Sequence, residues 1–335
     1  MVSNVAPCVK NKIENLSGIA LKEGGNPYQA LIEACEDDHH RIQLIYLAHR
    51  EARNDQQREK FLSKDCDGVI IDPVLLRLEN PTIEPGFRDD RHCLTFWARP
   101  PDHVLKLASY VQTLLKEAAP NLWLMPPHCM HMTALEVAHS KTPSEITRLV
   151  KYVKGVLPVV TTMTVTPGKR PRLVKPLLSY DLAAVALSFV PAVDEPTASP
   201  AAVPETTEEY NSRTADATLQ RQPGEDGYTY HHFRRDLFDL LSTTGAEITS
   251  RYVVPSAHIT LGRFLTQGDH SRPSQRTAWI NKIEEVNRWL QSDVWGQVGA
   301  DFVGEWCIGQ EKGLESRAGS LWYGGGRAIM VGEGF

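Results

Sequence analysis

Apolar residues recur along this chain with two different periods, and the alternation between them sketches a fold. Between residues 26 and 63 the period is helical. Asn26-Pro27 opens the stretch, Tyr28, Leu31, Ile32 and Cys35 share one face, and a second cluster follows at Ile42, Leu44, Ile45 and Leu47. The charged run Arg50 to Lys60 reads as a solvated helix face. Val69 to Ile71 and Val74 to Leu76 are short apolar pieces broken by Pro73. Residues 1–87 are therefore expected to form an accessory, mostly helical extension packed on a main domain at 88–335.

From Arg91 the pattern sharpens. His92 to Arg99 reads as a strand, and Pro100-Pro101-Asp102 opens a helix with a stripe at Val104, Leu105, Ala108, Val111, Leu114 and Leu115. Pro120 ends it; a short strand at Leu122–Met125 and a strand bearing His131 follow. A helix from Ser144 carries Ile146, Leu149, Val150 and Val153 on one face, and strand signals resume at Val159–Val165 and Leu173–Ser188. Residues 192–227 are rich in Pro, Ala, Thr and Glu and hold almost no bulky apolar residue, which predicts a disordered insertion. Phe233, Leu237, Leu240 and Leu241 then mark a helix stopped by Gly245, Ile248–Leu261 reads as a strand, and Trp279, Ile280, Ile283, Val286 and Leu290 mark one more helix. The C-terminus runs in short strands divided by glycine turns. Strand, helix, strand thus occurs twice, and each final strand carries a histidine roughly thirteen or fourteen residues beyond the helix end.

Composition narrows the classes. A 335-residue chain with 41% hydrophobic and 23% charged residues is globular in character. No stretch is apolar enough to span a bilayer, since Leu182–Val193 is interrupted by Ser188 and Pro191. Met1–Gly25 lacks the order of a signal peptide, so an intracellular, cytoplasmic or nuclear, location is expected. The six cysteines form no Cys-x-x-Cys pair and read as free thiols. A net charge of −5 argues against DNA or a long polynucleotide and for a small anionic substrate. The one dense basic cluster, Lys169-Arg170-Arg172-Lys175, is explained as well by solvation.

The candidate chemistry lies in His131-Met132-Thr133 and His258-Ile259-Thr260. Side chains alternate along a strand, so each His and Thr share a face about 6–7 Å apart. Histidine can give or accept a proton near neutrality, and a threonine hydroxyl can donate to a phosphoryl oxygen. Two such pairs facing each other would supply an acid, a base and an anion site. The paired His-x-Thr strings, each behind a helix, resemble the 2H phosphoesterase superfamily, which includes the LigT-like RNA 2′,3′-cyclic phosphodiesterases. The resemblance covers about Arg91 to the C-terminus. His-Ile-Thr-Leu-Gly-Arg-Phe matches better than the first string, where Ala134 replaces the bulky apolar residue usual after the threonine.

That resemblance implies an α+β, bilobal, duplicated fold, with two antiparallel-sheet lobes and outer helices around a central cleft. It implies His131 and His258 as the acid–base pair, Thr133 and Thr260 as phosphate ligands, and no metal or cofactor. The substrate would be a 2′,3′-cyclic nucleotide, an RNA-end cyclic phosphate or a cyclic ADP-ribose phosphate. A non-catalytic nucleotide- or protein-binding module on the same fold is the alternative.

Other residues are weighed against plainer readings. Trp97 and Trp322-Tyr323 could stack on a base, or simply pack in the core. Arg263, five residues beyond His258, should face the opposite side of the strand, favouring a salt bridge over a phosphate contact. His128 sits three residues before His131, so shared metal ligation is not expected, although His128, His131 and Glu136 would make a metal-hydrolase triad. His139 should lie past its strand end. Gly324-Gly325-Gly326 reads as a tight turn, with no Lys-Ser/Thr to make it a phosphate loop.

Overall fold

The structure, a computed structural model, describes residues 25–196, 225–249, 253–296 and 300–335. Its frame is two antiparallel sheets. Strands β1 (His92–Ala98), β3 (Met132–Lys141), β8 (Lys312–Ser320) and β9 (Arg327–Glu333) form one, in the order β3-β1-β8-β9. Strands β2 (Trp123–Leu124), β4 (Arg172–Tyr180), β5 (Ala184–Pro191), β6 (Ala257–Arg263) and β7 (Trp306–Cys307) form the other, in the order β2-β6-β5-β4-β7. The helices are α1 (Pro27–Ala34), α2 (His39–Leu62), α3 (Pro73–Glu79), α4 (Asp102–Ala118), α5 (Pro143–Val153), α6 (Leu157–Thr161), α7 (Tyr230–Ser242) and α8 (Pro273–Trp289). The protein is thus of mixed α+β class.

The stretch expected to be helical over 26–63 is two helices, α1 and α2, and side chains cap each helix at its start. Asn26, Asp38 and Asp72 each accept from backbone N–H groups at the head of α1, α2 and α3, and Thr142 with Glu145 closes a capping box on α5. Tyr28, Leu31 and Ile32 of α1 and Ile42, Tyr46 and Phe61 of α2 join the same apolar core as Leu94, Phe96 and Ile259. The N-terminal helices therefore share the core of the sheets. Within the charged run, Arg50 and Gln57 turn inward, and Arg50 donates to the Lys175 carbonyl at 2.7 Å.

Several elements differ from expectation. Val159–Val165 is helical, α6 and a following 3-10 turn. Its β-branched run suggested a strand, but Leu157, Val160, Thr161 and Thr164 bury one side against β8 and β9. Leu173–Ser188 is two strands, because the Asp181 carboxylate accepts from the N–H groups of Ala183 and Ala184 and turns the chain. The second motif strand begins only at Ala257. The insertion expected at 192–227 lies mostly outside the described residues, and its two ends are packed. Ala192 and Val193 are buried, Glu195 pairs with Lys175 at 2.6 Å, and Asp226 pairs with Arg172 at 2.6 Å. Three of the four basic residues of the cluster are paired with carboxylates, since Lys169 pairs with Asp236, and Arg172 also with Glu305. Among the described residues no helix is long and apolar enough to cross a membrane, and the five described cysteines are free thiols.

Candidate active site

His131, Thr133, His258 and Thr260 line one cleft of about 160 Å³. His131 and Thr133 come from the first sheet's edge strand and its approach, His258 and Thr260 from β6 of the second. Neither threonine hydroxyl has a protein partner among the described residues.

The backbone does the same thing twice here. On β3, Thr133 pairs with Trp97 and Leu135 with Phe96, so Ala134 is an extra, bulged residue. On β6, Thr260 pairs with Ala186 and Gly262 with Val185, so Leu261 is extra in the same way. Each bulged residue is fully buried, and each of their carbonyls is met by a side chain from the helix preceding the other motif. Arg234 of α7 donates to the Ala134 oxygen at 3.1 Å, and Gln112 of α4 donates to the Leu261 oxygen at 2.8 Å. A bulge reverses the alternation of faces beyond it. It therefore brings Glu136 and Arg263, each three residues after its motif threonine, round to line the cleft. That corrects the parity argument for Arg263. The arginine lines the cleft and also pairs with Asp72 at 3.4 Å.

His131 is locked in place. Its Nδ1 donates to the Cys129 carbonyl at 2.8 Å, and a carbonyl can only accept, so Nε2 is the nitrogen left to titrate. Its ring stacks on Trp97 with centroids 3.6 Å apart and planes 14° apart. Trp97 lines the cleft but is 1% exposed with His131 stacked on it, so of its two readings packing describes it: the indole is a platform for the imidazole. Arg99 and Arg317 each lie 4.9 Å from the Trp97 ring. Burial pushes the His131 pKa down to about 3; Arg99, His258 and Arg317 act in the same sense and the Cys129 carbonyl opposes them. His258 holds its Nδ1 3.0 Å from the Ser256 hydroxyl. His258 is exposed at the cleft; desolvation by the cleft walls, then Arg234 and Arg263, push its pKa down to about 4 against the pull of Asp181.

Gly324 keeps the first motif seated. Its φ is +81°, and a Cβ there would lie 2.4 Å from the Cys129 Cβ. Gly324→Ala should displace the carbonyl that fixes the His131 tautomer. We expect a loss of about 1–3 kcal/mol in a denaturant titration and a fall in turnover of roughly tenfold or more; unchanged turnover would show that this anchor does not matter.

The remaining candidates separate cleanly. Tyr323 does not line the cleft. It stands beside the Asp72–Arg263 pair, donating to Asp72 at 2.8 Å and accepting from Arg91 at 3.3 Å, because its neighbour Trp322 takes the cleft-facing position. His139 lies inside β3, buried, rather than past its end. His128, His131 and Glu136 do not converge: among the described residues the one trio of ligand types within 4.8 Å is the His39, His40 and Asp194 group on the surface. Sequence reasoning missed Ser256, Thr95 and Arg234 as cleft residues. Arg234 did leave a signal, since it falls on the apolar stripe of α7 between Tyr230 and Leu237, where a charged residue is out of place. No protein-family model matches the chain, and no curated protein matches it.

Proposed function

We propose that the protein is a phosphoesterase of the 2H type that opens a cyclic phosphodiester with its two histidines and needs no metal. The observation that carries this reading is the convergence of both His-x-Thr pairs, from different sheets, on one cleft. The repeated bulge after each threonine, and the reciprocal Arg234 and Gln112 bonds to the bulged carbonyls, support a duplicated, bilobal fold.

In the reaction, water attacks phosphorus and gives its proton to Nε2 of neutral His131, the ring whose tautomer is fixed. The P–O bond to the leaving ribose oxygen breaks, and that oxygen takes a proton from His258. Thr133 and Thr260 donate to the non-bridging oxygens, where negative charge builds. The proton donor is assigned to His258 because Asp181 favours its cation. Pairing of Lys169, Arg172 and Lys175 with carboxylates leaves a small nucleotide a better substrate than long RNA.

The pH dependence follows with a definite sign. Activity requires one imidazole charged and one neutral, and both are depressed below 6.5 by the protein alone. The protonated fraction of His258 therefore falls as pH rises, and kcat/KM should drop about tenfold per unit through neutrality. A bound phosphate anion raises both pKa values, so the kcat profile should be displaced to higher pH. A kcat/KM limb at or above pH 6.5 would contradict this. The same depression is the one feature favouring a binding module without turnover, since both rings are neutral at rest. A screen of 2′,3′-cyclic nucleotides, a cyclic ADP-ribose phosphate and a cyclic-phosphate-ended oligonucleotide decides between them. Turnover that survives chelators supports the enzyme; tight binding with no product over many hours supports the module.

A further inference from the structure

Arg234 sits at the seam between the two motifs, 4% exposed. Besides the Ala134 carbonyl, it donates to the Val254 carbonyl at 3.0 Å and to the Tyr28 hydroxyl at 3.0 Å. Its guanidinium lies 4.3 Å from the centre of the Tyr28 ring, and Tyr230, one helical turn back, donates to the Thr133 carbonyl at 3.0 Å. One of the two bonded carbonyls follows Thr133 directly; the other lies four residues before His258. A guanidinium carries its donors in a rigid plane, so bonding both carbonyls fixes their separation. We propose that Arg234 is a positioning residue that holds the two His-x-Thr segments at the separation one phosphate can span, and that helix α1, through Tyr28, belongs to the framework of the active site. Its catalytic consequence rests on the phosphoesterase reading; its geometry does not.

The side chain has a second effect that makes the idea testable. Its charge bears on His258, as do those of Arg263 on the same strand and Asp181 on the β4–β5 turn, with His131 facing across the cleft. Arg234→Lys keeps the charge and loses the planar fork, Arg234→Met loses both, and Tyr28→Phe removes one anchor while leaving the cleft walls alone.

The full chain carrying each change is compared by turnover of a 2′,3′-cyclic nucleotide and by NMR titration of the His258 Cε1 proton. For Arg234→Lys we expect kcat to fall about 10²-fold, as a displacement of roughly an ångström can cause, while the His258 titration stays in place. For Arg234→Met we expect at least the same loss, with the His258 titration moved to higher pH. Tyr28→Phe should lower kcat about tenfold with KM little changed. Wild-type kcat in Arg234→Lys, or an unmoved His258 titration in folded Arg234→Met, overturns the proposal. Should Arg234→Met fail to fold, Arg234→Lys and Tyr28→Phe decide. If the wild-type protein opens no cyclic phosphate, the phosphoesterase reading fails separately. The spacing claim is then judged by inorganic orthovanadate, whose affinity should fall at least about tenfold in Arg234→Lys and should not change if the claim is wrong.

Discussion

Alanine at position 131 or 258 is expected to lower kcat on a 2′,3′-cyclic phosphate by about 10²–10⁴-fold, the usual contribution of one positioned proton transfer. The two losses should not add. A base without its acid, or an acid without its base, leaves the other proton transfer uncompensated, so the double variant should be little worse than the poorer single one. KM should move much less than kcat, because Thr133 and Thr260 still face the cleft. Full turnover in purified His258→Ala would remove the assignment. Losses that multiply in the double variant would mean that the two rings act on separate steps.

Trp97→Ala carries the largest expected cost in stability. The indole is buried, stacks against His131 and lies beside two guanidinium groups. Removing such a side chain typically costs about 3–5 kcal/mol through lost burial and the cavity left behind, a large share of a total near 5–15 kcal/mol. The same change frees the His131 ring to tilt, so kcat should fall as well, even well below the unfolding midpoint. Trp97→Phe is the informative companion. It keeps an aromatic platform, and should recover most of the stability and part of the turnover. Denaturant titrations beside kcat for both variants check this. A stable Trp97→Ala protein with normal kcat would show that the stack does not hold the catalytic ring.

What the sequence made legible was whatever depends on neighbours along the chain. The two His-x-Thr strings, the stripe of α4 and the Asn26-Pro27 start of α1 are local features, and the structure places them where the sequence does. Arg263 was assigned to the wrong face because a bulge at Leu261 is a property of strand pairing, invisible in one strand alone. Val159–Val165 misled because β-branched residues favour strands intrinsically, while the sheet beneath α6 decides the matter. Trp97 offered two readings, and only the fold brings His131 onto its face. Arg234 was within reach: a charge on a buried helix stripe asks for partners, though nothing in the sequence says that these are the backbones of both motifs.

The most direct single measurement is an NMR titration of the His131 and His258 Cε1 protons with orthovanadate or with a 2′- or 3′-mononucleotide. If one anion bridges the two rings, both resonances should shift along curves with a common dissociation constant, and both rings should titrate at higher pH when the ligand is bound. A response confined to one ring, or two unrelated affinities, would mean that the imidazoles do not serve the same phosphorus.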